Sequence, residues 1–133
     1  MTSPQPASET TASAADLVRQ IGVIAATVFM LIAAMVGTGL FGGTPVQDLQ
    51  GGALDADASY LAPARPAFQI WSVIYLGLIA YAIWQALPSQ RASMRQRSMG
   101  WWIAVTEVLN GLWLVTAQFT TLLLTVVMIA VLL

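Results

Sequence analysis

The residue whose position most demands a chemical explanation is Glu107, an acid inside a long apolar run. None of the chain's long apolar runs holds a basic residue that could neutralise it. An ionised carboxylate in lipid costs at least roughly 2.5 kcal/mol, so this side chain must face protein, find a partner or hold a proton. Two readings follow. Glu107 is a functional acid that takes up a proton or hydrogen-bonds a ligand, or it is a neutral structural acid bonded to a neighbouring helix. Helical periodicity puts Gly100, Gly111 and Gln118 on its face, with Asn110 on the flank. Asn110 in turn serves as interhelical glue or as a ligand contact.

The second chemical group is aromatic. Trp71 and Tyr75 stand one turn apart on one helical face, while Gly77, Tyr81 and Trp84 lie well round from them. Trp84 sits beside an arginine-rich loop and suits the aromatic belt of a membrane interface. Trp71 and Tyr75 are either belt residues at the other interface or the floor of a pocket under the long loop before them. Catalytic chemistry has little to stand on. The chain has no histidine and no cysteine, which removes imidazole and thiolate catalysis, disulfides and nearly all transition-metal sites with nitrogen or sulfur ligands. It has no nucleophile–base pair, no paired carboxylates and no phosphate-cradling loop. No catalytic or metal-binding residue is assigned, and an enzyme is the weaker expectation. The Gly39–Gly43 spacing matches GxxxG but falls at the edge of an apolar run.

Lipid-spanning helices are what must position these groups. Hydrophobic residues make up 58% of the 133 and charged residues 8%, with a mean hydropathy of +0.76. Soluble domains carry about a quarter charged residues. A net charge of −1 without a basic tract leaves nucleic acid no electrostatic footprint. Residues 1–18, rich in Ser, Thr, Ala and Pro up to Asp16, read as a disordered tail, and 19–133 as one transmembrane domain. Apolar runs predict spans over about 21–41, 67–87 and 99–119, the first reaching roughly 31 Å against a hydrocarbon core of about 30 Å. A signal peptide competes for the first run, which is longer than a typical signal core and lacks a clean cleavage site. Residues 120–133 would cover only about 21 Å and read as an incomplete fourth span of a truncated chain, or as a short re-entrant helix.

The loops orient the bundle. Arg91, Arg95 and Arg97 share the short connection 88–98, whereas Asp48, Asp55 and Asp57 lie in the long loop after the first span. An excess of arginine marks the cytoplasmic side, which places loop 88–98 and the amino terminus there. In the first span Gly22, Ala26, Ala33 and Gly37 form a stripe of small residues, the signature of close helix contact in lipid. The expected class is therefore an all-α membrane protein, a transmembrane helical bundle in the cell membrane whose first partner is the bilayer.

The stretch Pro66-Ala67-Phe68-Gln69-Ile70-Trp71-Ser72-Val73-Ile74-Tyr75, with Gly77 and Tyr81 after it, resembles the second helix of the translocator (tryptophan-rich sensory, TspO) family. Asn110-Gly111-Leu112-Trp113 is similar to that family's Asn-x-x-Trp in the third helix. The match departs in places. Gln69 and Ser72 replace the family's proline and threonine around the tryptophan, and the lysine- and tryptophan-containing lead-in is reduced to Leu61-Ala62-Pro63-Ala64-Arg65-Pro66. Thr106 stands where the family has glutamine, with the acid next to it. The chain resembles a divergent branch.

The resemblance implies a five-helix fold, of which about three and a half helices are present, and commonly a homodimer. It also implies a pocket for a flat hydrophobic ligand such as a porphyrin, a haem-like tetrapyrrole or a sterol, with no resident cofactor. Carried over by position, Phe68, Trp71, Tyr75, Asn110 and Trp113 would line that pocket, and Glu107 would add a polar contact. The expected function is a binding, transport-like or sensory protein. The alternatives are photo-oxidative modification of a bound tetrapyrrole and a membrane scaffold or assembly subunit without a ligand.

Overall fold

The structure is a computed structural model that describes residues 11–53, 55–60, 66 and 69–133. Among these residues it is all-helical: α1 spans Ala14–Gly37, α2 Ile70–Ala86, α3 Met94–Phe119 and α4 Leu122–Leu132. Short 3-10 turns sit in the long connection after α1, over Val46–Gly52, and in the short one after α2, over Pro88–Gln90.

The first helix starts at Ala14, inside the segment expected to be a disordered tail. The cause is local. Ser13 Oγ accepts from the Asp16 amide at 3.3 Å, and the Ser13 amide donates to Asp16 Oδ2 at 2.9 Å, a reciprocal capping box. Two orphan donors are thereby satisfied at the first turn. The third helix likewise starts at Met94, well before the predicted 99, so Arg95 and Arg97 belong to its first turns and not to a loop.

The second helix runs to Ala86, and Leu87 is extended at φ −60°, ψ 142°. Pro88 forces this, because its ring disfavours helical backbone in the residue before it. Three spans are expected, and among the described residues α1 alone is long and apolar enough, by length and composition, to cross a bilayer. Described helix in the second run begins only at Ile70 and is 17 residues long. The third helix has 26 residues but carries two arginines, Glu107, Asn110 and Gln118, which lower its hydropathy. The last apolar segment forms an 11-residue helix that packs back on α3 after a break at Thr120.

The principal contact is the seam between α1 and α3. Val23, Ala26, Thr27, Met30 and Ala33 of α1 are buried there, facing Gly100, Ala104, Glu107, Gly111 and Ala117 of α3. The small-residue stripe does pack as expected. A Cβ on Gly22 would stand 3.1 Å from the Trp101 ring, and one on Gly37 would stand 3.1 Å from Leu114 Cδ2. Small side chains let the backbones approach, and dispersion then acts over the whole seam. The Gly39–Gly43 spacing lies off the helix in a turn. Gly39 has φ 77°, and a Cβ there would be 2.7 Å from the Gly43 carbonyl, so only glycine fits.

Candidate functional site

A cavity of about 750 Å³ opens between α1, α2 and α3 beneath the loop that follows α1. Trp71 and Tyr75 enter it from α2 and Trp113 from α3, while Leu31 and Met35 of α1 close the far wall. The Trp71 and Tyr75 rings lie 6.0 Å apart at 36°, so they present a broken apolar surface instead of one flat shelf. Pro45, Val46 and Asp55 of the long loop form the rim. Gln118 anchors that rim, since its Nε2 donates to the Thr44 carbonyl at 2.7 Å and to the Val36 carbonyl at 3.4 Å. Asp55 is the only charged side chain among the described lining residues.

The Trp113 indole carries the site's most informative atom. Its Nε1 is buried with no hydrogen-bond partner. An unpaired buried donor costs about 1–3 kcal/mol, which an occupant's acceptor would recover in part once the ring turned to expose the atom.

Of the residues assigned from the sequence, the structure brings Trp71, Tyr75 and Trp113 together on one cavity. Phe68 lies outside the described residues. Glu107 and Asn110 do not line the cavity. Glu107 is 1% exposed in the α1–α3 seam, where Thr27 Oγ1 lies 3.0 Å from each carboxyl oxygen. Asn110 is buried too, and its Oδ1 has no partner. Facing direction along α3 was legible from periodicity, but Thr27, the partner on another helix, was not named. Its only signal was a hydroxyl beside Ala26 in the small-residue stripe.

A polar cluster at the opposite end of the bundle was also missed. Arg97 donates from Nε to Asp16 Oδ1 at 2.8 Å and from Nη2 to Asp16 Oδ2 at 2.6 Å, a bidentate pair. Arg19 Nη1 reaches Asp16 Oδ1 at 3.1 Å, and its Nη2 reaches the Arg91 carbonyl at 3.0 Å. Asp16 and Arg97 both precede the apolar runs of their helices. The Arg97 guanidinium, together with the Ser13 amide, holds the Asp16 carboxyl well below the usual carboxylate range, and Asp16 raises Arg97 in return. Gln20 and Gln85 exchange bonds: Gln20 Nε2 donates to the Gln85 carbonyl at 2.6 Å, and Gln85 Nε2 to the Gln20 carbonyl at 3.2 Å. The Ser-x-x-Asp pattern at Ser13–Asp16 was the available sequence signal, read instead as tail composition.

Among the described residues no group of acids could hold a metal ion. A family model described as TSPO-like protein matches residues 22–133. No curated protein and no solved structure gives a match.

Proposed function

The chain belongs to the TSPO-like protein family of membrane proteins, and on that premise we propose that it binds a flat, apolar ligand in the cavity beneath the loop after α1. One observation carries this reading: three aromatic residues from two helices meet on a single cavity, and one of them keeps a buried N–H unpaired. The volume of about 750 Å³ lies inside the roughly 300–1,000 Å³ typical of ligand pockets. Indole and phenol rings supply broad apolar faces, and the Trp113 N–H, exposed by a turn of its ring, would supply a directional contact. The ligand is therefore a ring system with one hydrogen-bond acceptor on its edge.

Charge narrows the class further. The described lining offers an acid at the rim and no base. A neutral ring, such as a sterol or an esterified porphyrin, suits that lining better than a free porphyrin dicarboxylate. Titrating a porphyrin diester against the detergent-solubilised protein and a Trp71→Ala variant tests the site. Binding should weaken at least severalfold in the variant, and equal affinity in both would remove Trp71 from the pocket.

The finer topology is part of the same reading. Arg19, Arg91 and Arg97 gather at the end of the bundle opposite the Asp48–Asp57 loop, which supports that end as the cytoplasmic one. The protein has no cysteine, so single cysteines introduced at Ser89 and Ala58 report sidedness cleanly. An impermeant thiol reagent added to intact cells should label position 58 and spare position 89. The opposite pattern reverses the topology.

A further inference from the structure

The contact between Glu107 and Thr27 contains more acceptor oxygens than hydrogens. Thr27 Oγ1 lies 2.9 Å from the Val23 carbonyl oxygen and 3.0 Å from each oxygen of the Glu107 carboxyl. A hydroxyl has one proton to donate and can satisfy only one of these three oxygens fully. With an ionised carboxylate, the remaining oxygens would meet the hydroxyl oxygen with no hydrogen between them.

The surroundings offer no other relief. Glu107 is 1% exposed and Thr27 4% exposed. Ala104 and Gly111 share the α3 face, and Val23 and Ala26 oppose it from α1. A Cβ on Gly111 would be 2.5 Å from Phe29 Cε1, so α1 and α3 pack closely one turn along from Glu107. Counter-charge is equally scarce. Arg19, two turns along α1, is engaged by Asp16 and the Arg91 carbonyl. Arg91, Arg95 and Arg97 lie at the arginine end of the bundle. From α2 the nearest ionisable group is Tyr81, whose hydroxyl donates to Gln96 Oε1 at 2.7 Å. The fourth helix contains no ionisable residue.

We propose that this cluster is a proton-binding site: Glu107 holds a proton and donates it to Thr27 Oγ1, and Thr27 donates to the Val23 carbonyl. The carboxylate and one proton make the neutral acid, and two of the three oxygen contacts around Thr27 then hold a hydrogen instead of one. The site is distinct from the aromatic cavity and does not depend on a ligand there. It also couples protonation to packing. Releasing the proton would leave a buried carboxylate with a single hydroxyl donor, so ionisation weakens the α1–α3 seam.

Infrared spectroscopy of the full chain in lipid, labelled with 13C-carboxyl glutamate, reads the site directly. Glu9 is the only other glutamate, and Glu9→Gln silences it. At neutral pH in sodium-free buffer, an isotope-shifted C=O stretch of a protonated carboxyl should be present in E9Q. It should disappear in E107Q and move to higher frequency in Thr27→Val, which removes its acceptor. Only carboxylate bands from the labelled glutamates at neutral pH would overturn the proposal. So would a protonated band that collapses when sodium is added, which would make the cluster a cation site. The labelled protein with a native Glu107 decides the question even if E107Q fails to fold.

Discussion

Replacing Trp113 with phenylalanine separates what the indole does for the fold from what it does for a ligand. The substitution keeps an aromatic ring lining the cavity and deletes the Nε1 donor, which is buried and unpartnered. Deleting an orphaned donor removes a penalty of about 1–3 kcal/mol. The smaller ring forfeits some packing, at about 0.8 kcal/mol per buried methylene equivalent. Trp113 is only half-buried and lines the cavity, so the loss is a fraction of its area. The two effects offset within about 1 kcal/mol, and the unliganded variant should melt close to the parent.

Ligand affinity should behave differently. A carbonyl on the ligand that accepts from Nε1 is worth about 0.5–1.5 kcal/mol net, or roughly 2- to 13-fold in Kd. The clean measurement compares an aryl ketone with its isosteric alkene, C=O replaced by C=CH2, by calorimetric titration of parent and Trp113→Phe. The parent should prefer the ketone by that factor and the variant should lose the preference, whatever happens to ring stacking. A ketone-to-alkene ratio unchanged by the substitution would refute the role given to this N–H. A large fall in melting temperature of the empty variant would refute the claim that the donor is an unpaid penalty in the resting fold.

Three further outcomes follow from the geometry. Asp55→Asn removes the one charge among the described lining residues and should improve binding of a free porphyrin dicarboxylate by about fivefold, on the order of 1 kcal/mol for screened like charges, leaving the diester unchanged. Equal changes for both ligands would take Asp55 off the ligand's path. Gly111→Ala places a methyl 2.5 Å from Phe29 Cε1 and should destabilise the seam by about 1–3 kcal/mol, read as a lower thermal midpoint in detergent; an unchanged midpoint would show that the ring swings aside freely. The Asp16 carboxyl is held below its ordinary value of 3.8, so its contribution to stability is present above that pH and declines as pH falls below it. Asp16→Asn should abolish that acid-range decline, and a variant that keeps the full decline would assign it to another acid.

How much of this was legible beforehand depends on the range of the interaction. The long apolar run of α1 and its small-residue stripe could be read because both are properties of one helix. Trp71 and Tyr75 share a face by spacing alone, and their meeting with Trp113 was carried by the family resemblance. Helix starts were misread where a side chain closes the first turn. Ser13 and Asp16 sit in a stretch whose Ser, Thr and Ala content resembles a tail, yet their reciprocal bonds begin the helix at Ala14. Glu107 was correctly turned inward but assigned to the ligand, because periodicity says which residues share a face and not which helix that face meets. Its partner Thr27 lies 80 residues away in the chain, and only the folded seam pairs them.

The distribution of polar bonds explains why the cavity lies where it does. Among the described residues of α2, only Ala82 and Gln85 are buried, both near its carboxyl end. There the reciprocal Gln20–Gln85 bonds and the Tyr81–Gln96 bond tie α2 to α1 and α3. Gln20 and Gln85 are buried, so breaking these bonds would leave polar groups unpaired, and this end acts as a fixed point. Toward its amino end α2 presents Ile70, Val73, Ile74 and Leu76 outward, with no comparable ties. Trp71 and Tyr75 lie on that untied stretch, and with Trp113 of α3 they line the cavity. Polar ties therefore gather at the arginine end of the bundle, and the apolar cavity opens along the stretch of α2 that has none among the described residues.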